Sequence, residues 1–245
     1  MQRYKIKIEY DGTLFVGWQF QKNGLSIQEV LQKAIFSFSK EKVVVSGAGR
    51  TDSGVHALAQ AAHFDLKKKI EYKKLLPGLN QNIGNKPITI LEIEKVSKKF
   101  HARFSAKKRT YQYIIVNRES PLALQKNKAW HIRKKLDIEK MRKAAALLLG
   151  THDFSTFRSS SCGAKSPIKT MEKISIKKNK DKIVLKFTSK SFLQQQVRSM
   201  VGCIKYLGEG KWSFDNFKKA FKSKRRFQCA PPAPACGLFL RKVWY

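Results

Sequence analysis

The sequence predicts an α+β protein whose two similar halves form a largely antiparallel sheet with helices packed on one face. Three observations carry this expectation. Period-two apolar runs outnumber long helical runs, most are joined by tight polar turns, and a strand-then-helix opening occurs twice, first near Arg3 and again near Arg109.

Taken in order, Tyr4, Ile6, Ile8 and Tyr10 alternate with Arg3, Lys5, Lys7 and Glu9, the pattern of a strand with one wet face, and Asp11-Gly12 turns the chain. Ser26 and Glu29 form a capping-box pattern ahead of Ile27, Val30, Leu31, Ala34, Ile35 and Phe38, whose spacing is that of an amphipathic helix. Val43-Val44-Val45 and Ala61-Ala62-His63-Phe64 read as short buried strands on either side of a glycine-rich segment, and residues 88–96 as another. The pattern restarts with a strand at 109–116, then a helix with Asp137 as N-cap and Gly150 as stop signal. Ile174-Ser175-Ile176 and Ile183-Val184-Leu185-Lys186-Phe187 predict a hairpin, followed by a helix from about Ser191 to Leu207 that Gly208 ends. The division near Ser105 gives halves of 1–105 and 106–245.

With 245 residues, 42% of them hydrophobic and 11% aromatic, the chain has enough apolar surface for a core. Against 17 acidic residues stand 51 Lys+Arg, a formal net charge of +34, so the partner is expected to be a polyanion. The cations are spread through the sequence, as in Lys67-Lys68-Lys69, Lys107-Lys108-Arg109 and Lys224-Arg225-Arg226, which predicts a broad phosphate-binding surface and not a tail. A solvated surface accounts for any one run but not for the total. No apolar stretch approaches the roughly 20 residues of a membrane span, and the N-terminus opens on a strand pattern without a signal peptide, so a soluble cytoplasmic protein is expected. Cys162, Cys203, Cys229 and Cys236 lack Cys-x-x-Cys spacing, which predicts reduced thiols and no structural zinc.

The segment from Gly47 to His56 carries three glycines, Arg50 and Asp52 between apolar strands. A P-loop would need Gly-Lys followed by Ser or Thr, and a dinucleotide fingerprint would need glycine where Asp52 stands. An acidic side chain in a phosphate cradle would also repel its ligand. Asp52 therefore reads either as an Asx-turn former or as a reactive carboxylate. Two arginines favour the second reading. Arg50 is two residues away, and Arg198 is expected on a helix face with Gln194 and Gly202, opposite the core stripe of Leu193, Val197, Met200, Val201 and Ile204.

Gly49-Arg50-Thr51-Asp52-Ser53-Gly54-Val55-His56-Ala57 resembles the catalytic signature of the TruA-type tRNA pseudouridine synthases. The resemblance continues through Tyr10-Asp11-Gly12-Thr13 with Gly17-Trp18-Gln19, Arg109-Thr110-Tyr111-Gln112-Tyr113, His152-Asp153-Phe154, Val197-Arg198 with Val201-Gly202, and Gly237-Leu238-Phe239-Leu240. Gln194-Gln195-Gln196, Cys229 and Cys236 depart from it.

The resemblance implies the pseudouridine synthase fold, with ferredoxin- or RRM-like halves, and an isomerase that needs no organic cofactor and no metal. It implies Asp52 as nucleophile, Arg198 as the cation that keeps it charged, and Tyr111 stacking on the uracil and assisting proton removal from C5. Arg50 would hold the backbone of the extruded nucleotide, and Leu238 and Phe239 would wall the uracil pocket. The implied target is the anticodon stem-loop of tRNA at uridines 38, 39 and 40, and the implied assembly a homodimer. Two other readings account for the charge: a non-catalytic RNA-binding protein of RRM-like shape, for which no RNP-like octet is found, and a ribosome component, which would not need the Gly-Arg-Thr-Asp loop.

Overall fold

A computed structural model describes every residue except Lys69, so the end of the Lys67-Lys68-Lys69 run lies outside the described residues. In chain order the elements are β1 (Gln2–Tyr10), α1 (Ile27–Ser39), β2 (Ser46–Gly47), β3 (His56–Leu66), α2 (Tyr72–Ile83), β4 (Ile88–Val96), β5 (Lys108–Asn117) and β6 (Trp130–Ile132). They continue with α3 (Ile138–Leu147), β7 (Gly150–Asp153), β8 (Ile168–Asn179), β9 (Lys182–Ser189), α4 (Gln196–Gly208), α5 (Phe214–Ser223) and β10 (Leu238–Trp244). The fold is α+β with mostly antiparallel strand pairing, as the sequence predicts. The chain forms two compact units, 1–107 with 239–245, and 108–238.

In the first unit β1 lies between β3 and β4, antiparallel to both, and β10 runs parallel to β3 with Phe239 opposite His56. The alternation in β1 buries Tyr4, Ile6, Ile8 and Tyr10. The Ser26 hydroxyl accepts the Glu29 N–H at 3.2 Å, starting α1 where the capping box predicts, and α1 buries Ile27, Val30, Leu31, Ala34 and Ile35. α2, which no periodic pattern in the sequence announces, contains Pro77 and buries only Leu75, Leu79 and Ile83. Pro77, the sixth of the twelve residues of α2, has no N–H to offer the preceding turn, yet the helix continues past it to Ile83.

Val43-Val44-Val45 is not a strand. Val44 is exposed, and the backbone of Val45 is satisfied from α1, where the Gln28 amide donates to its carbonyl at 2.9 Å and the Gln32 carbonyl accepts its N–H at 3.2 Å. Side chains here replace the ladder partner that a strand would need.

In the second unit the sheet order is β5-β9-β8-β7, all antiparallel neighbours, with β6 parallel to β5. The predicted hairpin is β8–β9, turned at Lys180 with a φ of 53°. Asp137 caps α3 by accepting the Lys140 N–H at 3.0 Å, but the helix stops at Leu147, and Gly150, at φ 93°, opens β7 instead. The helix predicted from Ser191 begins only at Gln196, because Gln195 adopts the left-handed conformation at φ 60°. α5 seats Phe217, Ala220 and Phe221 inward, and the Phe221 ring lies 5.7 Å from Phe154 and 5.6 Å from Phe157. The four cysteines are free thiols, with Cys203 and Cys229 sulfurs 3.4 Å apart.

Candidate active site

The Asp52 loop belongs to the first unit, and its backbone is fixed from below by the segment that follows β1. The Trp18 N–H donates to the Thr51 carbonyl at 3.0 Å, the Tyr10 and Thr51 hydroxyls pair at 2.8 Å, and the Ser53 hydroxyl donates to the Phe15 carbonyl at 3.2 Å. On the β3 side the buried Gln60 amide donates to the Gly49 carbonyl at 2.8 Å, and the Ala48 N–H to the Ala61 carbonyl at 2.7 Å. Thr51 and Val55 are buried on either side of Asp52, which is itself half-buried, while Arg50 is exposed. The loop thus lifts a carboxylate to the edge of solvent on a frame whose own polar groups are already satisfied.

Three glycines make that frame possible. A Cβ on Gly12 would stand 2.0 Å from the Val55 carbonyl oxygen, and one on Gly47 would stand 2.6 Å from the Trp18 ring. Gly17, at φ 110°, lies against the Thr51 carbonyl, where a Cβ would approach to 2.6 Å. Tyr10-Asp11-Gly12-Thr13 and Gly17-Trp18-Gln19, distant in sequence from Asp52, are therefore the seat of its loop.

His56 closes the motif that carries Asp52, and its part in the site is visible only in the fold. Its Nδ1 accepts the Gly12 N–H at 3.0 Å, its ring is buried, and it stacks on Phe239 with centroids 4.6 Å apart and planes at 22°. Through it the structure brings Phe239 against the strand that leaves the Asp52 loop. The signal was the buried register of β3 with β10, which no local pattern contains.

In the second unit Tyr111 and Tyr113 lie on the same face of β5 and both are buried. Tyr113 donates its hydroxyl to the Pro234 carbonyl at 2.8 Å, and burial pushes its phenol well above the usual range, which suits a packed structural tyrosine. The Tyr111 ring meets Phe192 edge-on at 5.0 Å. Arg198, half-buried on α4, donates from Nε to the Ala233 carbonyl at 2.8 Å, and the Ala233 N–H returns a bond to the Arg198 carbonyl at 2.9 Å. The face expected to join Gln194, Arg198 and Gly202 is corrected on two counts. Gln194 precedes the helix, and Gly202 is covered by the 231–233 segment, where a Cβ would stand 2.1 Å from the Pro231 carbonyl oxygen. Leu238 is buried, and Gly237 before it lies so close to Tyr113 that a Cβ would reach 2.6 Å. Among the described residues no group of three or more His, Cys, Asp or Glu side chains is placed to hold a metal ion, and no helix is long and apolar enough to cross a membrane.

A family model described as tRNA pseudouridine synthase matches residues 6–105 and 144–245, and the chain belongs to that family. Within it, the similar proteins carry the name tRNA pseudouridine synthase A. That of Pelagibacter ubique (strain HTCC1062) is 59% identical over 246 residues, covering 100% of both chains. Those of Rhodospirillum centenum and Parvibaculum lavamentivorans are 45% and 47% identical over 245 residues, again over 100% of both chains. A chain in the crystal structure of a Cbf5-Nop10-Gar1 complex has 11% identity and a TM-score of 0.32, over 82% of this chain and 53% of that one, too distant to carry weight.

Proposed function

We propose that this chain isomerises uridine to pseudouridine in tRNA, at positions 38, 39 and 40 of the anticodon stem-loop, with Asp52 as nucleophile. The observation that carries the reading is the half-buried Asp52 on a loop pinned through Thr51, Ser53 and Val55, in a chain of this family. In the reaction the C1′–N1 bond breaks, the uracil turns while held, and a C1′–C5 bond forms. Attack at C1′, attack at C6 and proton abstraction at C2′ all require an ionised carboxylate, so the positioning of Asp52 serves each.

The remaining roles follow from side-chain chemistry. Arg198 supplies the cation that favours the charged form of Asp52. Tyr111 stacks on the uracil and assists loss of the C5 proton, and Arg50 holds the backbone of the extruded nucleotide. Leu238 and Phe239 supply an apolar wall that keeps water from the glycosidic intermediate. The N-terminal half, 1–105, contributes the Asp loop, and the C-terminal half, 106–245, the Tyr strand and Arg helix. The enzyme works in the cytoplasm as a homodimer, which sedimentation at micromolar concentration will report.

The test is pseudouridine formation in uridine-containing tRNA by wild type, Asp52→Ala and Asp52→Asn, with binding measured in parallel. Both variants bind tRNA as wild type does and lose roughly four orders of magnitude or more in turnover, as expected for a lost nucleophile. Equal modification by wild type and variants sinks Asp52 as the nucleophile, and tRNA binding without modification by wild type sinks the enzyme and leaves an RNA-binding protein.

A further inference from the structure

Among the described residues, four of the five α-helices carry an ion pair between a lysine or arginine and a carboxylate three or four residues away. These are Glu29–Lys33 on α1, Lys74 with Glu71 at the start of α2, Arg142–Glu139 on α3 and Lys205–Glu209 at the end of α4. α5 is the exception. Its apolar stripe of Phe217, Ala220 and Phe221 is buried, and its opposite face presents Lys218, Lys219 and Lys222, all exposed. Lys224 and Arg225 extend that exposed surface past the end of the helix. Asp215 lies three and four residues before Lys218 and Lys219, yet among the described residues no carboxylate comes within ion-pair reach of any of these five cations. Arg226, the next in sequence, turns inward and donates to the Ser199 hydroxyl at 3.0 Å, so it is not part of the surface.

The helix dipole accounts for cations in the last turn, Lys222 and Lys224, but not for Lys218 and Lys219 in the middle. Lys218, Lys219 and Lys222 stand with Asp215 on one open face of the helix, at spacings of three, four and seven residues from it. Lys218 and Lys222 are one helical turn apart, about 6 Å along the axis. That rise is comparable to the separation of successive phosphates along one nucleic-acid strand. An anionic lipid surface fits less well, because the apolar stripe that would enter a bilayer is already committed to the core.

We propose that the outer face of α5 is a phosphate-backbone contact for the RNA substrate, adding affinity without reading sequence; this rests on the reading of the chain as a tRNA-modifying enzyme. The lysines engage backbone phosphates as mobile point charges, and Arg225, whose guanidinium lies 5.9 Å from the centroid of the exposed Phe227 ring, extends the surface past the end of the helix.

The experiment measures tRNA affinity against salt for wild type, for a Lys218→Gln, Lys219→Gln, Lys222→Gln variant, and for the matching Lys→Arg variant. A Lys33→Gln, Lys74→Gln variant, which removes lysines that have carboxylate partners, serves as control. The glutamine variant weakens binding about tenfold or more near 0.1 M salt, equally for tRNA with and without target uridines, and lowers the salt slope by about 2 to 3. The arginine variant restores affinity, the control changes neither quantity, and single-turnover modification at saturating tRNA keeps its wild-type rate in all variants. Unchanged affinity and slope in the glutamine variant overturn the proposal, as does loss of binding to anionic phosphatidylserine vesicles without loss of binding to tRNA. Should wild type bind tRNA but fail to modify it, the enzymatic reading fails, while the slope difference still decides the role of α5.

Discussion

His63 is buried on β3, where its Nδ1 accepts the Ala102 N–H at 3.2 Å. Burial, with Arg3 and His101 adding positive charge nearby and Asp65 opposing them, pushes its imidazole down to about 4. In the unfolded chain the ring takes a proton near pH 6.5, so between about 6.5 and 4 the unfolded state binds more protons than the folded one. His63 therefore contributes full stability above about pH 6.5 and loses it as pH falls toward 4. The thermal midpoint of wild type is expected to drop through this window. A His63→Asn variant, whose amide oxygen can accept the same N–H, should show a shallower drop in thermal unfolding. An identical pH profile for both proteins would remove His63 as the cause. Asp52 shows the limit of reading single residues. In sequence it is equally a turn former, and what distinguishes it is the set of bonds on its neighbours Thr51 and Ser53, made by Trp18, Tyr10 and Phe15.

At the scale of elements, the turn after β1 and the Asp52 loop fit together with no spare space at Gly12. Alanine there would force its Cβ against the Val55 carbonyl, 2.0 Å away, which is backbone and can yield only by moving the loop. Gly12→Ala is expected to cut turnover by about 100-fold through misplacement of the carboxylate, with a smaller effect on tRNA affinity. Gly163→Ala, where an added Cβ meets nothing within 4 Å, should be silent in the same assay. Elements with strong local signals were legible: β1 by its alternation, α1 by Ser26, α3 by Asp137, and the β8–β9 hairpin by its paired apolar runs. α2 was not, because Pro77 and a sparse apolar stripe hide it. Val43–45 misled because an apolar triplet looks the same whether it is paired in a sheet or, as here, held through Val45 by glutamines of α1.

For the whole molecule, the last strand returns to the first unit: β10 lies beside β3, and the Tyr245 hydroxyl donates to the Ala102 carbonyl at 2.8 Å. Phe239 and Leu240 are buried there, worth about 1.5–3 kcal/mol each. A chain ending at Leu238 is expected to unfold on the order of 10 °C lower, with faster amide exchange in β3. Unchanged melting would mean that the strand is dispensable. The sequence by itself determined the α+β class, the basic character, the family resemblance and the candidacy of Asp52, because periodicity, charge and a contiguous motif are local properties of the chain. Only the tertiary structure decided that Gly12, Gly17 and Trp18 seat the Asp52 loop, that His56 stacks on Phe239, that Gly202 lies under Pro231, and that the lysines of α5 have no carboxylate partner among the described residues. Each of these depends on which distant segments touch, and contacts between residues far apart in the chain leave no periodic trace in it.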